Sequence, residues 1–183
     1  MPRPLVTVLA SVMSLGVLAY GAAGCATNTC APASVAAEAT AAAVASDAMV
    51  QVAKTLDRFH AAAASADEAG YFALFAEGGV FMGTDATERW TVPEFRAYAH
   101  PRFASGKAWS FKSVHREIAV RGDTAWFDES LDTPNLGPSR GSGVLIRDTT
   151  GEWKVAQYNL SVPIPNDCFE SVKAVVEGQC KAP

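Results

Sequence analysis

The sequence lacks most of the features that would point directly to a function. Its 15 lysines and arginines form no stripe and are outnumbered by 19 aspartates and glutamates, which argues against nucleic-acid binding. Its four cysteines have no CxxC spacing, and its three histidines lie far apart along the chain, so we expect no metal site. No cofactor is expected either. At 183 residues, the chain is long enough for one domain with appended segments.

The chain also lacks an apolar run long enough to cross a membrane. Residues 5–20 are apolar and uncharged, but a spanning helix needs about 20 residues. Because Arg3 precedes this run and small residues follow it up to Cys25, residues 1–24 are predicted to be an export signal. The expected location is therefore the bacterial periplasm or cell envelope.

The small residues before Cys25 also resemble a lipobox, which would make Cys25 the lipidated first residue of the mature chain. Membrane association would then depend on the lipid anchor alone. Ordinary cleavage nearby, giving a soluble exported protein, is the alternative.

Because disulfides persist outside the cytoplasm, Cys168 and Cys180 are expected to pair. Cys30 is left over if Cys25 is lipidated, and the two are able to pair if it is not.

Residues 25–46 are rich in alanine and are predicted to form a tether, part of which extends the first helix. The folded domain is predicted at 47–166, with a helical tail at 167–183. Helical spacing predicts a buried stripe on the first helix, made up of Met49, Val52, Leu56, Phe59 and Ala63.

Capping boxes mark the next two helices. The pair Ser65 and Glu68 predicts a second helix that ends at residues 78–79, and the pair Thr91 and Glu94 predicts a third. A short strand is expected between them. After Gly106 the hydrophobic period changes to two, which predicts four long strands at residues 109–120, 124–132, 140–148 and 153–161. Helices followed by such strands indicate an α+β class: a cone-shaped half-barrel with three helices packed on a curved antiparallel sheet.

The lengths of the turns predict the cross-strand register. Because Lys154 and Arg147 should face water, the opposite face of the sheet should look towards the helices. This predicted inner face carries Trp126, Asp128, Ser130, Arg140, Ser142, Val144, Ile146, Val155, Gln157 and Asn159. A slip of one residue in the second long strand would bring Glu129 inward instead. The predicted outer face carries Phe127, Leu131, Leu145, Tyr158 and Leu160. It is too apolar for a solvated surface, so a homodimer through it is expected.

Several motifs together resemble a known family. They are Phe-Met-Gly-Thr-Asp-Ala-Thr-Glu-Arg-Trp at 81–90, Glu-Phe-Arg-Ala-Tyr at 94–98, and the runs at 123–129, 140–145 and 153–166. Over about residues 50–166 the chain resembles a SnoaL-like domain of the nuclear transport factor 2 superfamily. The resemblance implies a cone of helices against a curved sheet, often dimeric. The superfamily includes steroid isomerases, polyketide cyclases, dehydratases and non-catalytic members, so it implies no particular reaction.

Polar residues of the predicted inner face suggest where chemistry would occur. Asp128 is the candidate acid–base group, although an Asp–Arg pair that holds two strands together is the plain alternative. Gln157 and Asn159 are candidate hydrogen-bond donors to a ligand, or else members of a buried polar network. The remaining predicted ligand-binding residues are Trp90, Tyr98, Trp126, Arg140 and Ser142. The three histidines are not expected to take part.

Three hypotheses for the function follow. The first is an exported domain that binds a small, partly apolar ligand in its cone. The second is an acid–base enzyme of the isomerase, cyclase or dehydratase type that uses Asp128. The third is a dimerisation module whose cavity is filled by side chains. An open cavity would separate the first two hypotheses from the third.

Overall fold

The computed structural model describes residues 33–178. The predicted signal segment, Cys25, Cys30 and Cys180 lie outside these residues. Cys168 is exposed, and its disulfide with Cys180 stays a prediction. Within the described part of the chain, no helix is both long and apolar enough to cross a membrane.

Within residues 33–178, four α-helices and six strands follow one another. In order they are α1 (Ala33–Ala64), α2 (Glu68–Ala73), β1 (Phe75–Met82), β2 (Arg89–Thr91), α3 (Val92–Ala104), β3 (Lys112–Arg121), β4 (Thr124–Asp132), β5 (Ser139–Arg147), β6 (Trp153–Ser161), a single 3-10 turn (Asn166–Cys168) and α4 (Phe169–Gly178). The predicted strands at 124–132 and 153–161 are confirmed to the residue.

The six strands form one open sheet in the order β2-β1-β6-β5-β4-β3. Strands β3 to β6 make the predicted antiparallel meander. The sheet as a whole is mixed, because β1 runs parallel to β6, with Phe75 paired to Val155 and Phe81 to Tyr158. The α+β class is confirmed.

Helix α1 contributes the predicted apolar stripe. Val52, Leu56, Phe59 and Ala63 are all buried. Their spacing of three and four residues places them on one side of the helix, where they join the hydrophobic core. The helix begins at Ala33, inside the segment predicted as a tether, as the high helix propensity of alanine favours.

The observed N-terminal cap matches the predicted one at α3 but not at α2. At α3 the predicted capping box is confirmed, and the Thr91 backbone N–H donates to the Glu94 carboxylate at 2.8 Å. At α2 the predicted Ser65 cap is wrong. Asp67 caps the helix by accepting from the Gly70 N–H at 2.9 Å. Helix α2 ends at Ala73, and its expected second half is the start of β1.

Most side chains of the sheet lie on the face opposite to the one predicted, whereas Val155 faces the helices as expected. On β4, Ala125, Phe127, Glu129 and Leu131 are buried, whereas Trp126, Asp128 and Ser130 are exposed. The alternative register, which turned Glu129 inward, is the one observed. The β3–β4 hairpin has a two-residue turn that pairs Arg121 with Thr124, and this pairing sets which side chains of β4 face the helices.

A bulge in β6 explains the error in the other strands. Gln157 pairs with Val144 as predicted, but Val155 pairs with Leu145. Ala156 is therefore an extra residue, and it breaks the alternation of side chains. Val155 and Tyr158 consequently share one face and are both fully buried.

We call the face packed against the helices the covered face. Its residues on β4, β5 and β6 include Ala125, Phe127, Glu129, Leu131, Gly141, Leu145, Val155, Tyr158 and Leu160. The opposite, open face carries Trp126, Asp128, Arg140, Ser142, Val144, Ile146, Gln157 and Asn159. The apolar residues predicted to bind a second copy are thus in the core, and the reason given for a dimer was wrong.

Candidate functional site

An open cavity of about 250 Å³ lies over the covered face of the sheet. We call it the aromatic cavity, because rings make up most of its apolar wall: Phe81, Trp90, Phe95, Tyr98, Trp109 and Phe111, with Leu136 and Leu160. They come from β1, β2, α3, the segment before β3, the β4–β5 loop and β6. The Thr91–Glu94 cap starts α3 directly after β2, which sets Trp90 beside the first turns of that helix.

The rings of this wall stack on one another. The Phe81 and Phe95 centroids are 3.9 Å apart with planes 9° from parallel. Trp90 and Tyr98 stack at 4.6 Å and 23°. Such contacts add to the free energy gained from burying the rings, so the wall is a rigid surface.

Polar side chains complete the lining of the cavity: Thr84, Glu88, Arg102, Thr133 and Asn135. Thr84, Arg102 and Asn135 are exposed and mark the mouth of the cavity, Glu88 is half-buried, and Thr133 is buried. The Arg102 guanidinium carbon lies 4.8 Å from the centre of the Tyr98 ring, and Tyr98 is 44% exposed. An apolar interior with a few polar groups at one end is typical of small-molecule sites.

A larger groove, of about 490 Å³, lies between the end of α1, α2 and the β5–β6 turn. Arg58, Asp67, Glu152 and Lys154 line it with small side chains, and no aromatic ring contributes. We favour the aromatic cavity as the site, because apolar and aromatic walls supply most of the binding free energy in small-molecule pockets.

A cluster of charged groups is buried between α1 and the sheet. Glu129 is 0% exposed and has three side-chain partners. Its Oε1 accepts from the Tyr158 hydroxyl at 3.1 Å and lies 2.7 Å from His60 Nε2, and its Oε2 accepts from Arg116 Nε at 2.8 Å. Because an ionised carboxylate only accepts hydrogen bonds, His60 carries a proton on Nε2.

Arg116 connects this group to helix α1. Its Nη1 donates to the Asp57 carboxylate at 2.8 Å and to the Ala53 carbonyl at 3.2 Å. We call His60, Arg116, Glu129 and Tyr158, with Asp57, the charge cluster. The cluster fixes α1 to strands β3, β4 and β6.

Gly141 leaves the space that the cluster needs. A Cβ at this position would collide with the Tyr158 hydroxyl and lie 2.9 Å from Glu129 Oε1. A side chain here would therefore displace the hydrogen bond between those two residues.

The electrostatics of the cluster keep Glu129 charged. Burial acts to raise the pKa of Glu129, but the hydrogen bond and charge of His60 and the charge of Arg116 outweigh it and lower that pKa overall. Burial and the nearby Glu129 carboxylate raise the pKa of Tyr158 well above its usual value, so its phenol is neutral and donates.

The cluster lies one aromatic layer away from the cavity. The His60 ring meets the edge of Phe111 at a centroid distance of 6.0 Å, and Tyr158 stacks on Phe81 at 5.7 Å. Phe111 and Phe81 line the cavity, whereas His60, Glu129 and Tyr158 do not. Nδ1 of His60 is buried and has no hydrogen-bond partner.

The structure separates the residues that the sequence predicted as one site. Trp90 and Tyr98 line the cavity as expected. The predicted placement of Asp128 in the cavity is wrong, because its side chain is on the open face. The same correction applies to Trp126, Arg140, Ser142, Gln157 and Asn159, which the observed register also places on the open face.

Sequence reasoning missed the most interesting buried groups. His60 was set aside, although its position next to the buried Phe59 on α1 was a signal for burial. Glu129 was expected to face inward only in the alternative register, in which the second long strand is shifted by one residue. Trp109 and Phe111 were predicted to begin a strand at 109–120, but β3 begins only at Lys112, so their cavity position did not follow from the strand pattern. Among residues 33–178, no group of three or more His, Cys, Asp or Glu side chains is placed to hold a metal.

The amino-acid sequence of this domain matches a known protein family. Residues 52–165 match the model of the SnoaL-like domain. No curated protein matches the chain.

Solved structures share the fold at low sequence identity. An NTF2-like protein of unknown function from Pseudomonas putida KT2440 is 17% identical, with a TM-score of 0.58, over 67% of this chain and 91% of that one. A protein from Streptomyces avermitilis, proposed to be a dehydratase of the NTF2-like family, is 20% identical, with a TM-score of 0.52, over 63% and 95%. A protein from Shewanella frigidimarina NCIMB 400, proposed to be a ketosteroid isomerase, is 17% identical, with a TM-score of 0.51, over 61% and 94%.

Proposed function

This chain belongs to the SnoaL-like domain family, and from that premise we propose that it binds a small, partly apolar ligand in the aromatic cavity. One observation carries the proposal: the space enclosed by the rings of β2, α3 and the segment before β3 is open rather than filled by side chains. Its volume of about 250 Å³ is slightly below the roughly 300 Å³ at which typical ligand sites begin. A compact one- or two-ring molecule therefore suits it better than a larger one.

The four tryptophans allow a direct test. Trp90 and Trp109 line the cavity, Trp126 is on the open face, and Trp153 is buried in the core. Proton–nitrogen correlation spectra show one indole N–H signal for each, and four Trp→Phe variants assign them. Titration with a library of small aromatic compounds should move the Trp90 and Trp109 signals.

The other two tryptophans are the internal control. Movement of the Trp126 signal alone would place binding on the open face and contradict the proposal. If no compound moves any indole signal, the cavity is not a binding site, and the remaining hypothesis is a dimerisation module.

A second candidate function is acid–base catalysis on a ligand held in the cavity. The observation in its favour is the buried His60–Glu129 pair, in which Nδ1 of His60 has no partner. A His–carboxylate pair is a common proton-transfer group. The activities proposed for the Streptomyces and Shewanella proteins are of the kind that needs such a group. This function ranks second because Phe111 lies between His60 and the cavity.

Proton abstraction is measurable without knowing the substrate. A compact ketone such as β-tetralone exchanges the hydrogens next to its carbonyl for deuterium when a base removes them. Mass spectrometry in D2O should show faster exchange with the wild type than with His60→Gln, while His100→Gln, on the exposed surface, should match the wild type. Equal exchange for the wild type and His60→Gln would end this candidate.

We also propose a homodimer through the open face. Trp126 is 47% exposed and Ile146 is 37% exposed on this face, so a partner there would bury apolar surface. Sedimentation should show a dimer that Trp126→Glu converts to monomer, whereas Thr150→Glu, in the β5–β6 turn, should leave it unchanged. A monomeric wild type would refute the proposal.

Export and lipid anchoring are proposed from the sequence around Cys25. Radiolabelled palmitate should enter the wild type but not Cys25→Ser. Absence of label in a wild-type protein that is nevertheless exported would favour a soluble form.

A further inference from the structure

Building on the proposed binding function, we propose that the ligand of the aromatic cavity is a flat aromatic molecule with a carboxylate, and that Arg102 binds the carboxylate. The inference rests on the position of the Arg102 guanidinium, which lies at the edge of a cavity whose wall consists of stacked aromatic rings.

Arg102 is placed to receive an anion. It lies in the last turn of α3 and lines the cavity, and its guanidinium is held over the Tyr98 ring with Cζ 4.8 Å from the ring centre. A guanidinium has five N–H donors in a planar fork that matches the two oxygens of a carboxylate. Stacking on Tyr98 occupies one face of that plane and leaves the donors at its edge available.

Two other arginines already have carboxylate partners. Arg96, on the same helix, pairs with Glu68 at 2.8 Å, and Arg116 pairs with Asp57 and Glu129 at 2.8 Å each. Within residues 33–178, no carboxylate lies within salt-bridge distance of Arg102, and the same is true of Arg58, Arg89, Arg121 and Arg140, but of these arginines Arg102 is the one that lines the aromatic cavity. A cation beside the cavity that has no carboxylate partner among the described residues suits an anionic group of the ligand.

The walls indicate the shape of the rest of the ligand. The planes of Phe81, Phe95 and Trp90 lie within 9° to 24° of one another in their stacked pairs. Phe81 and Phe95 are buried against each other, whereas the half-buried Trp90 and the exposed Tyr98 extend this stack and offer ring surface on which a planar aromatic molecule is able to pack. A saturated, puckered ring system would lose these contacts.

Glu88 restricts where the carboxylate is able to lie. It is the acidic residue of the cavity wall, and its Oε2 accepts from the Asp85 backbone N–H at 3.2 Å. This hydrogen bond stabilises the loop that contains Asp85 and Glu88, and the negative charge of Glu88 repels an incoming anion. The carboxylate of the ligand should lie on the α3 side of the mouth, next to Arg102.

The test compares two probes that differ only in charge. Isothermal titration calorimetry at low salt should give naphthoate a higher affinity than its neutral isostere naphthamide. Arg102→Gln should weaken naphthoate roughly tenfold, the value of one charge-assisted hydrogen-bonded pair, and change naphthamide little. Arg96→Gln is the matched control on the same helix and should leave both affinities unchanged. Glu88→Gln should tighten naphthoate alone.

The outcomes separate this inference from the proposed function. If both probes bind equally well and Arg102→Gln weakens neither, the anionic ligand class is wrong while binding in the cavity stands. If neither probe binds, cavity binding itself fails. Arg102→Lys keeps the charge at the end of α3 but loses the fork, so it should retain folding and lose part of the naphthoate affinity. Thermal unfolding of each variant checks that the loss is not one of folding.

Discussion

The aromatic cavity and the charge cluster lie over the same covered face of one sheet, yet they differ in whether the main charged group of each is paired. Two outer atoms of the cluster, His60 Nδ1 and Arg116 Nη2, have no hydrogen-bond partner among the described residues. In the cluster, a carboxylate with 0% exposure has three partners within 3.1 Å. In the cavity, aromatic rings stack on one another around an open space, and Arg102 has no carboxylate partner among the described residues. Satisfied buried groups stabilise a fold, whereas unsatisfied ones at an opening are available to a ligand.

The largest effect should come from removing the centre of the cluster. Glu129→Ala leaves Arg116 and His60 buried without their carboxylate, and breaking a buried ion pair in this way costs about 3–5 kcal/mol. Urea unfolding followed by circular dichroism measures the loss. Glu68→Ala, which breaks the surface pairs with Arg96 and His100, should cost much less, because solvent screens exposed ion pairs. Equal losses of unfolding free energy in the two variants would show that the buried cluster stabilises the fold no more than an exposed ion pair does.

A smaller effect is expected from filling the space at Gly141. Gly141→Ala forces its new methyl group against the Tyr158 hydroxyl and should cost about 1–3 kcal/mol, as overpacking usually does. Tyr158→Phe removes that hydroxyl, so the double variant should be more stable than the sum of the two single losses predicts. Additive losses in the double-mutant cycle would mean that the collision is not with Tyr158.

The cluster should also make stability depend on pH. The pKa of Glu129 is lower in the folded protein than in the unfolded chain, so its contribution is complete above the unfolded value of about 4.3. As the pH falls from there through the folded pKa, that contribution is lost. The difference in unfolding free energy between wild type and Glu129→Gln should therefore shrink below about pH 4.3. A difference that is constant with pH would contradict the lowered pKa.

The smallest effect on stability should come from the cavity. Tyr98 is 44% exposed, and Tyr98→Ala removes one stacked pair with Trp90, which is worth about 0.5–1.5 kcal/mol. The same change should weaken naphthamide binding severalfold, because it removes part of the wall. The open-face variant Trp126→Ala should not affect binding. Loss of stability as large as that of Glu129→Ala would show that the cavity rings are structural.

Local signals in the sequence predicted much of the fold. The α3 cap at Thr91 and Glu94 and the strands 124–132 and 153–161 depend on neighbouring residues, and they agree with the structure. Two of the residues predicted to bind a ligand, Trp90 and Tyr98, line the cavity and lie on either side of that same cap.

The remaining features depend on contacts between distant parts of the chain. The extra residue Ala156 reverses the faces of β6 between Val155 and Tyr158, and alternation alone gives no sign of a bulge. The charge cluster joins residue 60 to residue 129, so neither residue has a local pattern that predicts its partner. For this reason the sequence assigned the polar site to the wrong face.

The parallel pairing of β1 with β6 has a consequence for the order in which the domain folds. The sheet is made of two locally paired blocks, β2–β1 and β6–β5–β4–β3, and the only ladder that joins them links residues 75–82 to residues 155–159. Each block is able to form as its own hairpins are synthesised, but the joining ladder has to wait for almost the whole domain to leave the ribosome. Closing so long a loop is entropically costly and slow. A chain translated as far as β5 would therefore expose one edge of β1 and remain incompletely folded.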